Sequence, residues 1–282
     1  MVDFRCRAHV EPLGPEEPNA THGIVFVRGG VFRRVHRGQE LLADANHVLF
    51  FNAGEGYRYA HPLPGGDACT ILSLDGPRAL ELVAARAPGD AQRPEWPFRH
   101  GHALNTARAA RLLYELIALA DGDASGLSVE DTVAELADAA LASAYASRGP
   151  ARARTSPAGR RRRRDLAEAA KVCLNQHGGG PLALGALAAR LGCSPFHLSR
   201  TFRAEAGISL RRYAARLRAL RAAELLREGP RDLTALALTL GYADHSHFTN
   251  TFRREWGVPP SRFRAQARAA GKIVQAGALR PR

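Results

Sequence analysis

The sequence predicts a multidomain α and β chain: a small antiparallel β-barrel, then a helical hairpin, then an all-α domain holding two helix-turn-helix units. Three observations predict it. Residues from about 20 to 75 read as short β-rich runs broken by glycine turns; residues 103–147 carry two apolar helical stripes; and one short basic helix occurs twice, as SPFHLSRTFRAEAG (194–207) and DHSHFTNTFRREWG (244–257). With 282 residues, 45% of them apolar, the chain has enough material for two cores.

The β-rich runs are GIVFVRGG, VFRRVHRG, HVLFFNAGEGYRY and ACTILSL, punctuated by Gly29-Gly30, Gly54, Gly56 and Gly65-Gly66. In the hairpin, Leu112, Leu113, Leu116, Ile117 and Ala120 fall on one stripe. Val129, Val133, Leu136, Ala137, Ala140, Leu141 and Ala144 make the second, with DGDASGLS as the break between them. Two isolated helices cannot hide that much apolar surface, so either a second copy of the chain or the barrel covers it. SRGPARARTSPAGRRRRR then reads as a linker with a basic end. The expected boundaries are 1–102 for the barrel, 103–147 for the hairpin, 148–163 for the linker and 164–282 for the helical domain.

Charge divides the chain. Residues 1–147 hold 13 Arg against 19 acidic residues, net −6; residues 148–282 hold 25 Arg and 2 Lys against 8, net +19. A polyanion partner is expected for the C-terminal half alone. Arg160–Arg164 anchor phosphates or form a solvated patch, and neither reading implies specificity. The absence of a long apolar run, and the charged start MVDFRCRAHVEPLG, lead us to expect a cytoplasmic protein with no membrane segment. Cys6, Cys69, Cys173 and Cys193 lack finger spacing and read as reduced thiols, a redox role for Cys69 being the lesser alternative.

The repeat is longer than its two quoted helices. LGALAARLG (184–192) matches LTALALTLG (233–241), so each unit is a short helix, a turn at Gly192 or Gly241, and a longer second helix. Ser194-Pro195 and Asp244 are start signals, and Gly207 and Gly257 are stop signals. Leu198 with Phe202, and Phe248 with Phe252, have core spacing. The opposite faces carry Ser199, Arg200 and Arg203 in the first copy, and His245, Ser246, Thr249, Asn250 and Arg253 in the second. Arg grips guanine and Asn grips adenine through paired hydrogen bonds, while hydroxyls adapt to either. Two such helices set about 34 Å apart would enter successive major-groove segments. SLRRYAARLRALRAAELLREG (209–229) alternates apolar and Arg residues helically and reads as the rigid spacer.

LAARLGCSPFHLSRTFRAEAGISLRRY and LTLGYADHSHFTNTFRREWGVPPSRFR resemble the DNA-binding domain of the AraC/XylS family of bacterial transcription regulators. That resemblance places Phe196, Ser199 and Arg200 of the first reader, and Ser246, Thr249 and Asn250 of the second, at base-contacting positions. Asn250 stands where many members have Arg, and Pro181-Leu182-Ala183 supplies no polar cap for the helix near Leu184. HVLFFNAGEGYRYAHP, with the strand rhythm around it, is similar to the cupin-like sensor barrels that precede such domains. The resemblance implies a ligand-responsive regulator whose partners are double-stranded DNA, a small-molecule effector, a second copy of the chain and RNA polymerase. Tyr57, Arg58, Tyr59 and His61 are candidates to line the effector pocket. Without a cupin H-x-H pair inside the barrel, neither a metal nor a cofactor is expected; a site from His47, His61 and a carboxylate is the weaker reading. Two rival functions remain: a cupin-type metalloenzyme fused to a DNA module, and a coating protein that binds nucleic acid by charge alone.

Overall fold

The structure is a computed structural model that describes residues 1–7, 12–121, 126–146, 156–178, 180, 183–229 and 232–269. Its first part holds strands β1 (Val2–Cys6), β2 (Glu17–Pro18), β3 (His22–His36), β4 (Gln39–Asp44), β5 (His47–Phe51), β6 (Gly56–Ala60) and β7 (Asp67–Leu74), helix α1 (Gly76–Ala84) and strand β8 (His102–Leu104). Helices follow: α2 (Ala107–Asp121), α3 (Gly126–Ala146), α4 (Pro157–Gln176), α5 (Leu184–Arg190), α6 (Pro195–Ala206), α7 (Leu210–Glu228), α8 (Leu233–Thr239), α9 (His245–Trp256) and α10 (Pro260–Ala269).

Every paired strand is antiparallel, in the order β1-β7-β3-β5-β8, with β4 and β6 on the far half of β3. Among the described residues no ladder joins β8 to β1. The sheet is therefore open, which corrects the expected closed barrel. The reason lies in β3. Its side chains alternate and both faces are buried: Ile24 and Phe26 join the core shared with the helices, whereas Val25 and Val27 pack with Phe32, Ala43, Leu49 and Cys69. Phe32 lies on the far half of the same strand, so β3 bends over itself at a bulge between Val27 and Gly29. That doubling-back covers the inner face without end-to-end closure. Gly30 makes the bend possible: its φ is +74°, and a Cβ there would lie 2.0 Å from the Gly66 carbonyl oxygen.

The hairpin forms as α2 and α3, and most of its stripes face inward, while Ala120 is exposed and Leu112, Val129 and Val133 are half-buried. Leu113, Leu116, Leu136, Ala140 and Leu141 belong to one apolar core that runs from Ile24 in the sheet to Phe263 in α10. Arg160–Arg164 correct the linker reading in part. They lie on α4, which starts where the Ser156 side chain accepts from the Gly159 amide and Pro157 occupies the first turn. A capped start followed by Arg, a good helix former, outweighs the Pro and Gly content that suggested a linker. Residues 148–155 of that stretch lie outside the described residues. Strand β1 falls in a segment where the sequence shows only a charged start. Among the described residues, no helix is long and apolar enough to cross a membrane.

Candidate nucleic-acid interface

Both units are built by the signals their residues carry. In the first, the Ser194 hydroxyl accepts from the His197 amide at 3.2 Å, and Gly192 and Gly207 turn the chain at φ +64° and +74°. In the second, Asp244 accepts from the His247 amide at 2.7 Å, with Gly241 and Gly257 at +73° and +76°. These left-handed positions end each helix where only glycine is unstrained. Leu198, Phe202, Phe248 and Phe252 are fully buried.

Burying those faces turns the others outward. Phe196 is 75% exposed, Arg200 and Arg203 are exposed, and Ser199 is half-buried. On α9, His245, Ser246, Asn250 and Arg253 are exposed, and the half-buried Thr249 has a hydroxyl with no hydrogen-bond partner. The outward faces of both second helices thus present polar groups to solvent, with the Phe196 ring exposed beside them and the Thr249 hydroxyl turned inward. Helix α7 joins the units as a single element, with Ser209 at its start and Gly229 at φ +112° behind it. Leu210, Tyr213, Leu217, Leu220, Ala223 and Leu226 face inward as the pattern predicts, and Arg211, Arg212 and Arg221 are exposed. Arg218 instead lies over the Tyr242 ring at 5.2 Å.

Two buried polar clusters seat this module on the sheet. Asp44 accepts from the Tyr213 hydroxyl at 2.6 Å and the Asn175 amide at 2.8 Å, and lies 3.1 Å from His47 Nδ1. Lys171 donates to the Leu42 carbonyl at 3.3 Å and stands 3.3 Å from His47 Nε2. Burial pushes the Asp44 carboxyl up, but the His47 and Tyr213 hydrogen bonds and the Lys171 charge outweigh it and hold it well below the carboxylate range. Burial, then Lys171, pushes His47 below its ordinary value.

The second cluster centres on Glu224 of α7. It accepts from Arg28 at 3.1 Å, Tyr114 at 2.9 Å and Arg227 at 3.1 Å, and Arg28 also pairs with Asp3. Burial raises the Glu224 carboxyl, and the Arg28 and Arg227 charges overcome that and leave it lowered. Sequence reasoning missed both clusters. A signal existed: Arg28 interrupts an apolar strand, and Glu224 falls on the inward stripe of α7. A charge at an inward position requires a partner.

The proposed effector residues do come together. The Tyr57 and Tyr59 rings stack at 6.1 Å and Tyr59 meets His61 edge-on at 5.7 Å, while Arg58 points away to the Gly14 carbonyl at 2.9 Å. A cavity of about 390 Å³ lies elsewhere, between the sheet and α7, against Arg5, Arg28, Gly30, Asp67, Arg221 and Glu224. Tyr57, Tyr59 and His61 do not line it. His47 and His61 fall into separate clusters, His61 being bonded to Asp67.

Two helix-turn-helix units with matched outward rows, fixed to one spacer helix, define a double helix-turn-helix module. Residues 187–266 match the family model described as a helix-turn-helix domain. The HTH-type transcriptional activator RhaS of Escherichia fergusonii is 35% identical over 91 residues, covering 32% of this chain and 33% of that protein. RhaR of Salmonella arizonae, another HTH-type transcriptional activator, is 32% identical over 84 residues, 30% of each chain. The match thus spans about a third of the length of these curated relatives. The C-terminal region of this chain is an AraC-type helix-turn-helix domain. Among solved structures, a transcriptional regulator with an AraC-type DNA-binding domain from Chromobacterium violaceum covers 40% of this chain and 96% of its own at 25% identity and TM-score 0.35. ToxT from Vibrio cholerae covers 94% and 98% at 10% identity and TM-score 0.35.

Proposed function

We propose that the chain is a sequence-specific regulator of transcription in the cytoplasm, binding double-stranded DNA through α6 and α9 and responding to a small molecule held by its N-terminal region. One observation carries the proposal. The outward rows of the two second helices, Phe196, Ser199, Arg200 and Arg203 against Ser246, Thr249, Asn250 and Arg253, fall at matched positions on helices locked to one spacer. A protein that coats nucleic acid by charge alone needs no such duplication. The two readers would enter successive major-groove segments of a site of about 16–20 base pairs. The exposed Arg residues of α7 would contact phosphates.

Tyr57, Tyr59 and His61 support an aromatic effector subsite, and the cavity between the sheet and α7 supports a second location where a ligand would touch both parts of the molecule. Homodimerisation and contact with RNA polymerase complete the reading. Light scattering at micromolar concentration tests the dimer.

Selection of bound sites from random duplex DNA, repeated with variants, tests the function. Arg200→Ala is expected to lose about 1–3 kcal/mol of discrimination at one base position, and Asn250→Ala a similar amount at a different one. Equal weakening on every DNA sequence would overturn the base-reading role.

A further inference from the structure

We propose that Cys6, His61 and Asp67 form a binding site for a zinc-class divalent cation at the edge of the sheet. The strand register sets the cluster. Cys6 of β1 lies directly opposite Asp67 of β7, so both side chains project from the same face of the sheet. His61, in the turn between β6 and β7, is buried beside them. The sulfur, one imidazole nitrogen and one carboxylate oxygen all lie within 4.8 Å of one another. An ion with a metal–sulfur distance of about 2.3 Å and metal–nitrogen and metal–oxygen distances of about 2.0–2.2 Å fits among them with small side-chain adjustments.

The surroundings are those of a ligand site. His61 Nε2 lies 2.5 Å from Asp67 Oδ1, while its Nδ1 is buried with no hydrogen-bond partner. The Nε2–Oδ1 contact places two ligand atoms at one small volume, where an ion would replace the proton now held between them. The Cys69 thiol donates to Asp67 Oδ2 at 3.1 Å and orients the carboxylate from behind. Sulfur, nitrogen and oxygen donors together select zinc-like ions over calcium or magnesium, which take oxygen throughout. Three protein ligands leave a fourth position for water or a small molecule. Cys6 and Asp67 also line the cavity between the sheet and α7, which provides a route to the ion. Binding replaces the Cys6 thiol proton, which passes to solvent.

The position has a structural consequence. Arg5, adjacent to Cys6, reaches Glu224 at 3.4 Å and Glu228 at 2.6 Å on α7. An ion on Cys6 would hold the end of the strand that grips the spacer between the two readers. None of the three ligands belongs to a recognisable metal motif in the sequence; the β1–β7 register brings Cys6 and Asp67 together, and the segment after β6 adds His61.

The test uses the tag-free full-length chain, stripped of metal and kept reduced, titrated with Co²⁺ and then Zn²⁺. One equivalent of Co²⁺ is expected to produce a near-ultraviolet thiolate-to-metal band with intense visible bands, and Zn²⁺ to abolish both. Cys6→Ser should lose the near-ultraviolet band. His61→Gln and Asp67→Asn should each weaken binding at least about tenfold, the lower end of what losing even a supporting hydrogen bond costs. Cys193→Ser should change nothing. In the unaltered chain, Zn²⁺ should slow alkylation of Cys6 at least about tenfold and leave Cys193 unprotected, a measurement that does not depend on any variant folding. Absence of the charge-transfer band, its survival in folded Cys6→Ser, or equal alkylation of Cys6 with and without Zn²⁺ overturns the proposal. None of these readouts involves DNA, so the site stands or falls apart from the regulator reading.

Discussion

The two helix-turn-helix units present outward rows of the same spacing but are seated differently. Helix α6 packs on α4, and among the described residues its Phe202 meets one ring, Tyr213, at 5.1 Å. Tyr213 in turn donates to Asp44 in the polar cluster with His47 and Lys171. Helix α9 is held by rings: Phe252 lies 5.7 Å from Phe248, 5.6 Å from Trp256 and 5.4 Å from Phe263, and Tyr114 of α2 closes on Trp256 at 5.3 Å. One reader thus rests beside a hydrogen-bonded ionic seat and the other in an aromatic one. The outward rows share their spacing and Arg203 with Arg253, while Phe196, Ser199 and Arg200 stand against Ser246, Thr249 and Asn250, and each inward face meets a different part of the molecule.

Large truncations should separate the two seats most clearly. Phe→Ala at a buried site costs about 3–5 kcal/mol. Phe252→Ala is expected near the top of that range and Phe202→Ala near the bottom, because ring pairs add about 0.5–1.5 kcal/mol beyond burial. Urea unfolding of both variants provides the comparison; a larger loss for Phe202→Ala would reverse it. Next in size, Tyr213→Phe keeps the ring and removes the donor to a buried carboxylate, at a cost of about 1.5–3 kcal/mol. Hydrogen exchange should show the loosening in α4 and α6 before α9.

Acid should discriminate between the seats as well. His47 is held below its ordinary value in the fold, so on acidification the unfolded chain takes up a proton that the folded chain refuses. Stability is therefore full above about pH 6.5 and declines below it, by up to about 1.4 kcal/mol per pH unit. Asp44, held low, contributes stability above the usual carboxylate range that is lost only at lower pH still. Unfolding measured at pH 7 and pH 5 should show the loss. His102, pushed down to about 3 by burial, adds to it. His47→Gln should therefore reduce the slope without abolishing it, and an unchanged slope in that variant would remove His47 from the account.

The smallest expected difference is in the caps. Asp232 accepts from the Thr234 and Ala235 amides at the start of α8, whereas Ala183, at the matching place before α5, caps nothing. Asp232→Ala should cost about 1 kcal/mol, and Ala183→Ser should gain about 0.5–1 kcal/mol. Thermal melts of the pair decide whether the units differ there.

Much of the double helix-turn-helix part was legible in the sequence because its signals are local. Ser194, Asp244, Gly207 and Gly257 act on backbone groups within one helical turn, and the Leu198–Phe202 and Phe248–Phe252 pairs define an inward face that leaves only one outward row. The uncapped start of α5 was legible for the same reason. The clusters around Asp44 and Glu224 were not, since their partners stand far apart in the chain: Glu224 meets Arg28 across 196 residues and Tyr114 across 110. Arg160–Arg164 are helical where composition suggests a linker, because the Ser156-Pro157 start signal acts locally and outweighs the Pro and Gly content before it.

By itself the sequence determined the two reader helices, their caps, their spacer and the charge that suits them to a polyanion, because helix periodicity and capping act over a few residues. The tertiary structure alone decided that β3 doubles back to leave an open sheet, that most of the hairpin's stripes join a common core, and that Cys6, His61 and Asp67 share one small volume. Those outcomes depend on strand register and on which buried charge finds which partner, and both are set by the packing of segments distant in the chain.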